Sequence, residues 1–268
     1  MYFCQTMRQV SFYKYHGAGN DFILVDNRNN EYSNIDIQNI PKMCDRHFGV
    51  GSDGFILINK SDEVDFDMQF HNPDGSMSFC GNGARCAVAF FSYLTNRVDQ
   101  FIFSAFDGIH KAELSKNKLV RLEMNEVSEI IEHASNSYEL YTGSPHLILF
   151  DSDIERIDVL QEGARIRYSE NYSAQGINVN FVQIIDSQNI LIRTYERGVE
   201  DETLACGTGI TAAALAYAKN VNMLGANRIK VQAKGGELYV DFKLEGDSFT
   251  QVVLEGPASF VFKGQIDV

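Results

Sequence analysis

Val64, Phe66, Met68 and Phe70 alternate with Asp65, Asp67 and Gln69, giving one apolar face at a period of two and predicting a half-buried strand. Val120, Leu122 and Met124 alternate in the same way with Arg121 and Glu123. Ile229 to Ala233 and Leu238 to Leu244 flank Gly235-Gly236, the pattern of a hairpin. Strand signals of this kind dominate the chain. Helical spacing is confined to Ile35 to Phe48, Ala84 to Asn96, Val159 to Ser169 and Gly209 to Asn220. Two of these helices are unusual. The one entered at Ala84 is apolar around most of its circumference, and so is the one containing Ala212, Ala213, Ala214 and Ala216. Helices without a polar face belong inside a fold.

The pattern repeats. Phe22-Ile23-Leu24-Val25-Asp26 is echoed by Leu147-Ile148-Leu149-Phe150-Asp151, and Phe55-Ile56-Leu57-Ile58 by Phe181-Val182-Gln183-Ile184. Phe70-His71-Asn72 is echoed by Tyr195-Glu196-Arg197, and Cys80-Gly81-Asn82-Gly83 by Cys206-Gly207-Thr208-Gly209. The echoes keep their order at offsets of 125 to 126 positions. Two copies suggest two similar domains rather than a solenoid. The expected fold class is therefore α+β: two pseudo-symmetric domains, each a curved, mostly antiparallel sheet wrapped around a central helix. Residues 1–116 with 257–268 are expected to form the N-terminal lobe, and 117–256 the C-terminal lobe. The last strand, about Ala258 to Val268, returns to the first lobe in this scheme.

Composition narrows the classes. A chain of 268 residues can bury one large core or two smaller ones. A net charge of −13 argues against a general nucleic-acid or anionic-membrane surface. No apolar run approaches the roughly 20 residues that span a bilayer, and Met1 to Gln9 lacks the apolar core of a signal peptide, reading instead as a short frayed extension. Five cysteines, Cys4, Cys44, Cys80, Cys86 and Cys206, form no disulfide framework. A cytoplasmic protein with reduced thiols is expected. The C-x5-C of Cys80 and Cys86 fits no common zinc spacing, so no metal is expected.

The chemistry concentrates on two thiols. Each Cys-Gly-x-Gly string leads into an apolar helix, where unpaired backbone N–H groups and the helix dipole favour a thiolate. A single copy reads equally well as a tight turn around a small buried thiol. A purely steric role would tolerate Ala or Ser in one of the copies, so the pair favours function. Cys4, Cys44 and Cys86 are expected to be inert, with Cys86 in the core. Asn72-Pro73-Asp74-Gly75-Ser76 has turn composition, and Glu196-Arg197-Gly198 ends a strand. Both segments run into the cysteine turns, which places Asn72, Glu196 and Arg197 as candidates for one cleft. Arg offers a planar fork for a carboxylate and Glu an acceptor for an ammonium. His16-Gly17-Ala18-Gly19-Asn20-Asp21-Phe22 is Gly-rich but feeds a strand, unlike a dinucleotide fingerprint. Asn20 and Asn178 can each bind a ligand or cap a turn, and a lone His such as His146 is more often structural.

These strings closely resemble the diaminopimelate epimerase family. Asn72-x-Asp-Gly-Ser…Cys80-Gly-Asn-Gly-Ala-Arg-Cys86 and Glu196-Arg-Gly-Val…Glu202-Thr-Leu-Ala-Cys206-Gly-Thr-Gly209 resemble its two signatures, and His16 to Phe22 its N-terminal motif. The similarity runs from about Tyr13 to the C-terminus. Proline and hydroxyproline racemases instead look like Cys-Gly-His-Gly in the first turn, and the phenazine-type isomerases lack the cysteine pair. The resemblance implies that each lobe is a barrel-like sheet around its central helix and that the active site lies between the two lobes, with Cys80 and Cys206 as the acid–base pair and His146 and Glu196 assisting. It implies substrate contacts at Asn20, Asn72, Gly81, Asn82, Asn178, Glu196, Arg197, Gly207 and Thr208. It further implies a cofactor-independent isomerase converting LL- to meso-diaminopimelate, in lysine and peptidoglycan precursor biosynthesis. The chain departs from the family pattern at several places. The Asn72–Cys80 stretch is one residue shorter, Glu200-Asp201 stands where a single Gly is usual, Ser144 replaces an Asn, and Gly54 occupies a position where some members carry Gln.

Removing an α-proton without a cofactor needs a barrier reduction of order 10 kcal/mol or more. One cysteine as thiolate and the other as thiol would abstract and return the proton on opposite faces. Racemisation of another amino acid, such as proline, is the alternative within enzymes. A ligand-binding or thiol-redox protein whose cysteines form a disulfide is the alternative from another class. The sequence leaves the oligomeric state open, a homodimer among the options.

Overall fold

The structure is a computed structural model that describes residues 9–32, 38–133 and 136–268. Cys4, the expected extension up to Arg8 and the expected helix start at Ile35 lie outside the described residues. Contacts divide the chain into two compact units, one of Met1–Val120 with Pro257–Val268 and one of Arg121–Gly256.

The first unit is built from β1 (Gln9–Gly17), β2 (Asn20–Asn27), the short helix α1 (Asn39–Cys44), β3 (Gly54–Asn59), β4 (Phe66–His71), the helix α2 (Gly81–Thr95), β5 (Gln100–Ala105) and β6 (Gly108–Leu114). β7 (Leu119–Glu123) carries the chain across the boundary. Inside the second unit run β8 (Ile130–His133), β9 (Ser137–Tyr141), β10 (Pro145–Phe150), a 3-10 turn (Ile154–Arg156), α3 (Val159–Arg167), β11 (Asn178–Ile184), β12 (Asn189–Glu196), β13 (Asp201–Thr203), α4 (Gly207–Asn220), β14 (Gly225–Ala233), β15 (Gly236–Glu245) and β16 (Ser248–Pro257). The final strand, β17 (Ser259–Asp267), pairs antiparallel with β1.

The alternation in the sequence is realised directly. Phe66, Met68 and Phe70 in β4 are buried while Asp67 and Gln69 between them are partly exposed. β14 and β15 form the expected hairpin. The strand pairings of the two units match in kind. β2 runs parallel to β3, β3 antiparallel to β4, and β4 parallel to β5. β10 runs parallel to β11, β11 antiparallel to β12, and β12 parallel to β14.

The ladders match in register as well, and this shifts the repeat by one or two places. Phe22 pairs with Gly54 as His146 pairs with Asn178, and Ile56 with Phe70 as Asn180 with Thr194. A single offset of 124 positions superposes both ladders, in place of the 125 to 126 that apolar runs suggest. Continuous apolar runs slide along each other without penalty in sequence, whereas hydrogen-bonded pairs cannot. Asn72 therefore corresponds to Glu196, not to Arg197. The loop from Glu196 to Cys206 is two residues longer than that from Asn72 to Cys80.

Each unit surrounds one helix. α2 packs against β1, β2, β3, β4 and β6, and α4 against β9, β10, β11, β12, β14 and β15. Ala84, Cys86, Ala87, Val88 and Phe90 are fully buried, as are Ile210, Ala212 to Ala216 and Ala218. Burying a side chain such as Phe90 or Leu215 contributes roughly 1.5–3 kcal/mol. Both helices begin immediately after the cysteine, three and two residues earlier than the apolar periodicity predicts. Gly and Asn carry no apolar signal, yet they form the first turn. α1 is shorter than expected and ends at Cys44, where the chain turns extended at Asp45.

Candidate active site

In the first unit the thiol site grows from a hairpin. β1 and β2 are joined by the two residues Ala18 and Gly19, at φ of 53° and 87°. Two positive φ values suit a twisted two-residue hairpin. The turn delivers Asn20 as the first residue of β2, where its Nδ2 donates to Asp53 Oδ2 at 2.6 Å. Asp53 and Asp21 are themselves held by Arg46, at 2.6 and 2.7 Å, and Lys14 pairs with Asp21. Burial pushes the Asp21 carboxyl up, but hydrogen bonds from Arg46 and Lys14 outweigh it and hold the group below the usual carboxylate range. The Asn20 carbonyl is thereby turned away from the acids. Its Oδ1 accepts from Asn82 Nδ2 at 3.2 Å and lies 3.8 Å from Cys80 Sγ.

Cys80 is the N-cap of α2, in extended conformation, and its sulfur accepts from the Gly83 N–H at 3.4 Å. The first-turn amides of a helix have no intrahelical partner, so the sulfur sits at the positive end of the dipole. Behind it lies Arg85, which is fully buried and donates through Nη2 to Asn82 Oδ1 at 2.8 Å. Its Nε and Nη1 have no hydrogen-bond partner among the described residues. Burial pulls Arg85 below its ordinary value, while its proximity to the Cys86 and Cys80 thiols opposes that effect. Asn72 closes the turn ahead of the helix, with its Nδ2 donating to Ser76 Oγ at 3.0 Å and its Oδ1 accepting from Ser78 Oγ at 3.3 Å.

In the second unit Cys206 caps α4 from an extended conformation and is buried, at 8% exposure. Thr208 Oγ1 stands 3.5 Å from its sulfur. His146, fully buried on β10, places Nε2 2.9 Å from Thr208 Oγ1 and 2.9 Å from Ser144 Oγ. Burial, aided by the Arg197 charge, lowers its pKa to about 3, so the ring is neutral at physiological pH. Asn178 ties this set to the strand end. Its Nδ2 donates to Ser144 Oγ at 3.1 Å and Pro145 O at 2.9 Å, and its Oδ1 accepts the Arg197 N–H at 2.9 Å. Arg197 extends to donate from Nη1 to Gln175 O at 3.0 Å, and Glu196 Oε2 accepts from Thr203 Oγ1 at 2.8 Å.

The residues singled out from sequence thus fall into two groups. Asn20, Asn82 and Cys80 meet within one unit, with Asn72 on the adjoining turn. Cys206, Thr208, His146 and Asn178 form a connected network within the other, and Asn178 joins it to the Arg197 backbone. Ser144 is a member of this network, touching His146, Thr208 and Asn178. At Glu200 the backbone adopts φ of 59°. An L-residue there costs roughly 1–2 kcal/mol, offset by its carboxylate accepting from the Gly198 N–H at 3.1 Å and the Tyr195 hydroxyl at 3.2 Å.

Sequence reasoning missed Asp53, Arg85, Asn180 and Thr194. The last two are visible only once the ladders are aligned, because polar residues then fall where the first unit has Ile56 and Phe70. Cys44 and Cys86 are buried, and burial drives the Cys86 thiol far above its ordinary value. Among the described residues no group of three or more His, Cys, Asp or Glu is placed to hold a metal ion. Nor is any described helix long and apolar enough to cross a membrane.

The fold recurs in known proteins. Similar folds include the phenazine biosynthesis protein of the PhzF family from Bacillus anthracis, with a TM-score of 0.78 at 12% identity over 98% of this chain and 100% of that one. A hydroxyproline epimerase from Agrobacterium vitis matches with a TM-score of 0.67 at 13% identity, over 97% and 93%. At such identities the likeness concerns the fold. Sequence relatives are far nearer. The diaminopimelate epimerase of Flavobacterium psychrophilum is 45% identical over 96% of this chain and all of its own length. That of Chlorobaculum tepidum is 40% identical over 93% and 98%. The family model for diaminopimelate epimerase matches residues 12–130 and 138–261, a span that takes in both cysteine turns and the networks behind them, and the chain accordingly belongs to the diaminopimelate epimerase family.

Proposed function

We propose that this protein is an isomerase that converts LL-diaminopimelate to meso-diaminopimelate by proton transfer at one α-carbon, serving lysine and peptidoglycan precursor synthesis. Near-full-length identity of 45% to a diaminopimelate epimerase supports the activity. The observation that supports the mechanism is that each unit carries one thiol at the start of a buried helix.

Cys80 and Cys206 serve as the two bases. In one direction one thiolate removes the α-proton while the other thiol delivers a proton to the opposite face; the reverse reaction exchanges their roles. A helix N-terminus lowers a thiol pKa toward neutrality, so a thiolate is accessible at physiological pH. The amides of Gly81, Asn82, Gly207 and Thr208 offer donors for the α-carboxylate, where charge accumulates as the proton leaves. Thr208 and His146 reinforce Cys206 through the hydroxyl beside its sulfur. Asn20 and Asn82 border Cys80, and Asn72, Asn178, Glu196 and Arg197 supply the remaining groups for the substrate's amino and carboxylate ends. Glu196 assists as an acceptor for an ammonium.

The test is direct. Purified protein is incubated with LL-diaminopimelate and, separately, with L-proline, and the stereoisomers are resolved. Conversion of the first alone supports the proposal; racemisation of proline alone refutes it. Cys80→Ala and Cys206→Ala should each abolish turnover. The protein is expected in the cytoplasm, where thiols stay reduced.

A further inference from the structure

The second unit contains a buried polar group that the two-thiol chemistry does not itself require. Asn180, on β11, is completely buried, as is His146 beside it. Its Nδ2 faces three atoms: Leu147 O at 3.1 Å, Asn178 O at 3.3 Å and His146 Nδ1 at 3.2 Å. Two of these are carbonyl oxygens, so the amide edge there is NH2. Its Oδ1 accepts from the Thr194 hydroxyl at 2.9 Å, which agrees with that orientation. That NH2 edge offers no acceptor to an Nδ1–H, so Nδ1 stays unprotonated and the neutral ring carries its hydrogen on Nε2.

That single assignment orders the network in front of it. Nε2–H donates toward Thr208 Oγ1 and Ser144 Oγ. Ser144 Oγ also receives the Asn178 amide and lies 3.2 Å from Thr208 Oγ1. The Asn178 amide and the His146 Nε2–H already occupy the two lone pairs of Ser144 Oγ, which leaves no acceptor site there for a Thr208 hydrogen. Ser144 instead donates to Thr208, and among the described residues the acceptor left for the Thr208 hydrogen is Cys206 Sγ at 3.5 Å.

The sister unit shows that packing alone does not demand this arrangement. At the equivalent ladder positions it has Phe22 for His146, Ile56 for Asn180 and Phe70 for Thr194. The same scaffold folds with an apolar trio there. The polar trio is also fitted closely: a Cβ on Gly209 would lie 2.6 Å from Asn180 Oδ1 and 3.3 Å from His146 Cε1.

We infer that Asn180, held by Thr194, is a positioning residue that fixes the Nε2–H tautomer of His146 and so turns the Thr208 hydroxyl hydrogen onto the Cys206 sulfur. The effect favours the thiolate of Cys206, because a donor stabilises the charged form. This rests on the reading of Cys206 as a catalytic base, but the test needs no substrate and so stands or fails separately.

The experiment uses protein labelled with 15N-histidine, with His146 signals identified through His146→Gln. Wild type is expected to show an unprotonated Nδ1 and a protonated Nε2 for His146 at pH 7. Asn180→Ala should populate the Nδ1–H tautomer. Asn180→Asp keeps the volume and replaces the donor with an acceptor, so it should place a hydrogen on Nδ1. In a Cys4→Ser, Cys80→Ala background, iodoacetamide alkylation reports Cys206. Asn180→Ala should slow it about fivefold at pH 7, the worth of one hydrogen bond, and move its pH midpoint up. Adding Thr208→Val to Asn180→Ala should slow it little further. An Nδ1–H tautomer in the wild type would overturn the inference. So would Asn180 variants that lower the melting temperature yet leave tautomer and alkylation profile unchanged.

Discussion

His146 Nε2 lies 2.9 Å from Thr208 Oγ1, and the ring is wholly enclosed. Burial, with the Arg197 charge nearby, disfavours the charged ring and depresses its pKa from 6.5 to about 3. The unfolded chain takes up this proton first. Its stabilising contribution is thus complete above the unfolded value and is lost progressively as pH falls from 6.5 toward 3. Between pH 7 and pH 5 the loss should be about 2 kcal/mol. Urea unfolding at both pH values, compared with His146→Gln, measures it: the wild type should lose about that much more than the variant.

Thr208 passes the effect of His146 to the sulfur. Thr208→Val keeps the shape and removes the hydroxyl, and should lower kcat by about tenfold, the equivalent of a hydrogen bond to a charged group. Thr208→Ser keeps the hydroxyl and should recover most of the rate. Equal loss in both variants would show that the methyl group, not the hydroxyl, matters.

The two helix-start glycines should not be equally tolerant. A Cβ on Gly209 would meet Asn180 Oδ1 at 2.6 Å, whereas one on Gly83 would meet the Ile56 Cδ1 methyl at 3.2 Å. Asn180 is held by hydrogen bonds on both edges and cannot yield, while a terminal methyl can turn aside. Gly209→Ala should cost about 1–3 kcal/mol in overpacking, clearly more than Gly83→Ala. Paired denaturation curves decide the comparison.

Arg85 places an enclosed positive charge behind Cys80, with two of its nitrogens lacking partners among the described residues. Arg85→Met should reduce the alkylation rate of Cys80 by a few-fold at pH 7, because a nearby cation favours the thiolate. Arg85→Lys should retain part of that rate. A Met variant as reactive as the wild type would remove any electrostatic role for this residue.

Much of this was visible along the chain because it is local. Alternation in β4, the hairpin at Gly235-Gly236 and the two apolar helices each depend on neighbours a few residues away. The cysteine turns were legible because the chain states them twice. What stayed hidden depends on distant pairs. Asp53 finds Asn20 across 33 positions and Asn180 finds His146 across 34, and no local pattern links them. Apolar similarity alone sets the repeat one or two residues out of step, since runs of Ile, Leu, Val and Phe look alike when slid. With the correct register, Phe22, Ile56 and Phe70 against His146, Asn180 and Thr194 would have marked the polar site in advance.

The two-base assignment is tested most directly by running the reaction with LL-diaminopimelate in D2O and sampling before one turnover of the substrate pool is complete. Cys80 and Cys206 working on opposite faces predict meso product carrying solvent deuterium at the inverted carbon, while unreacted substrate keeps its original proton. Product that retains the substrate's own proton, or undiminished turnover in either the Cys80→Ala or the Cys206→Ala protein, would contradict it.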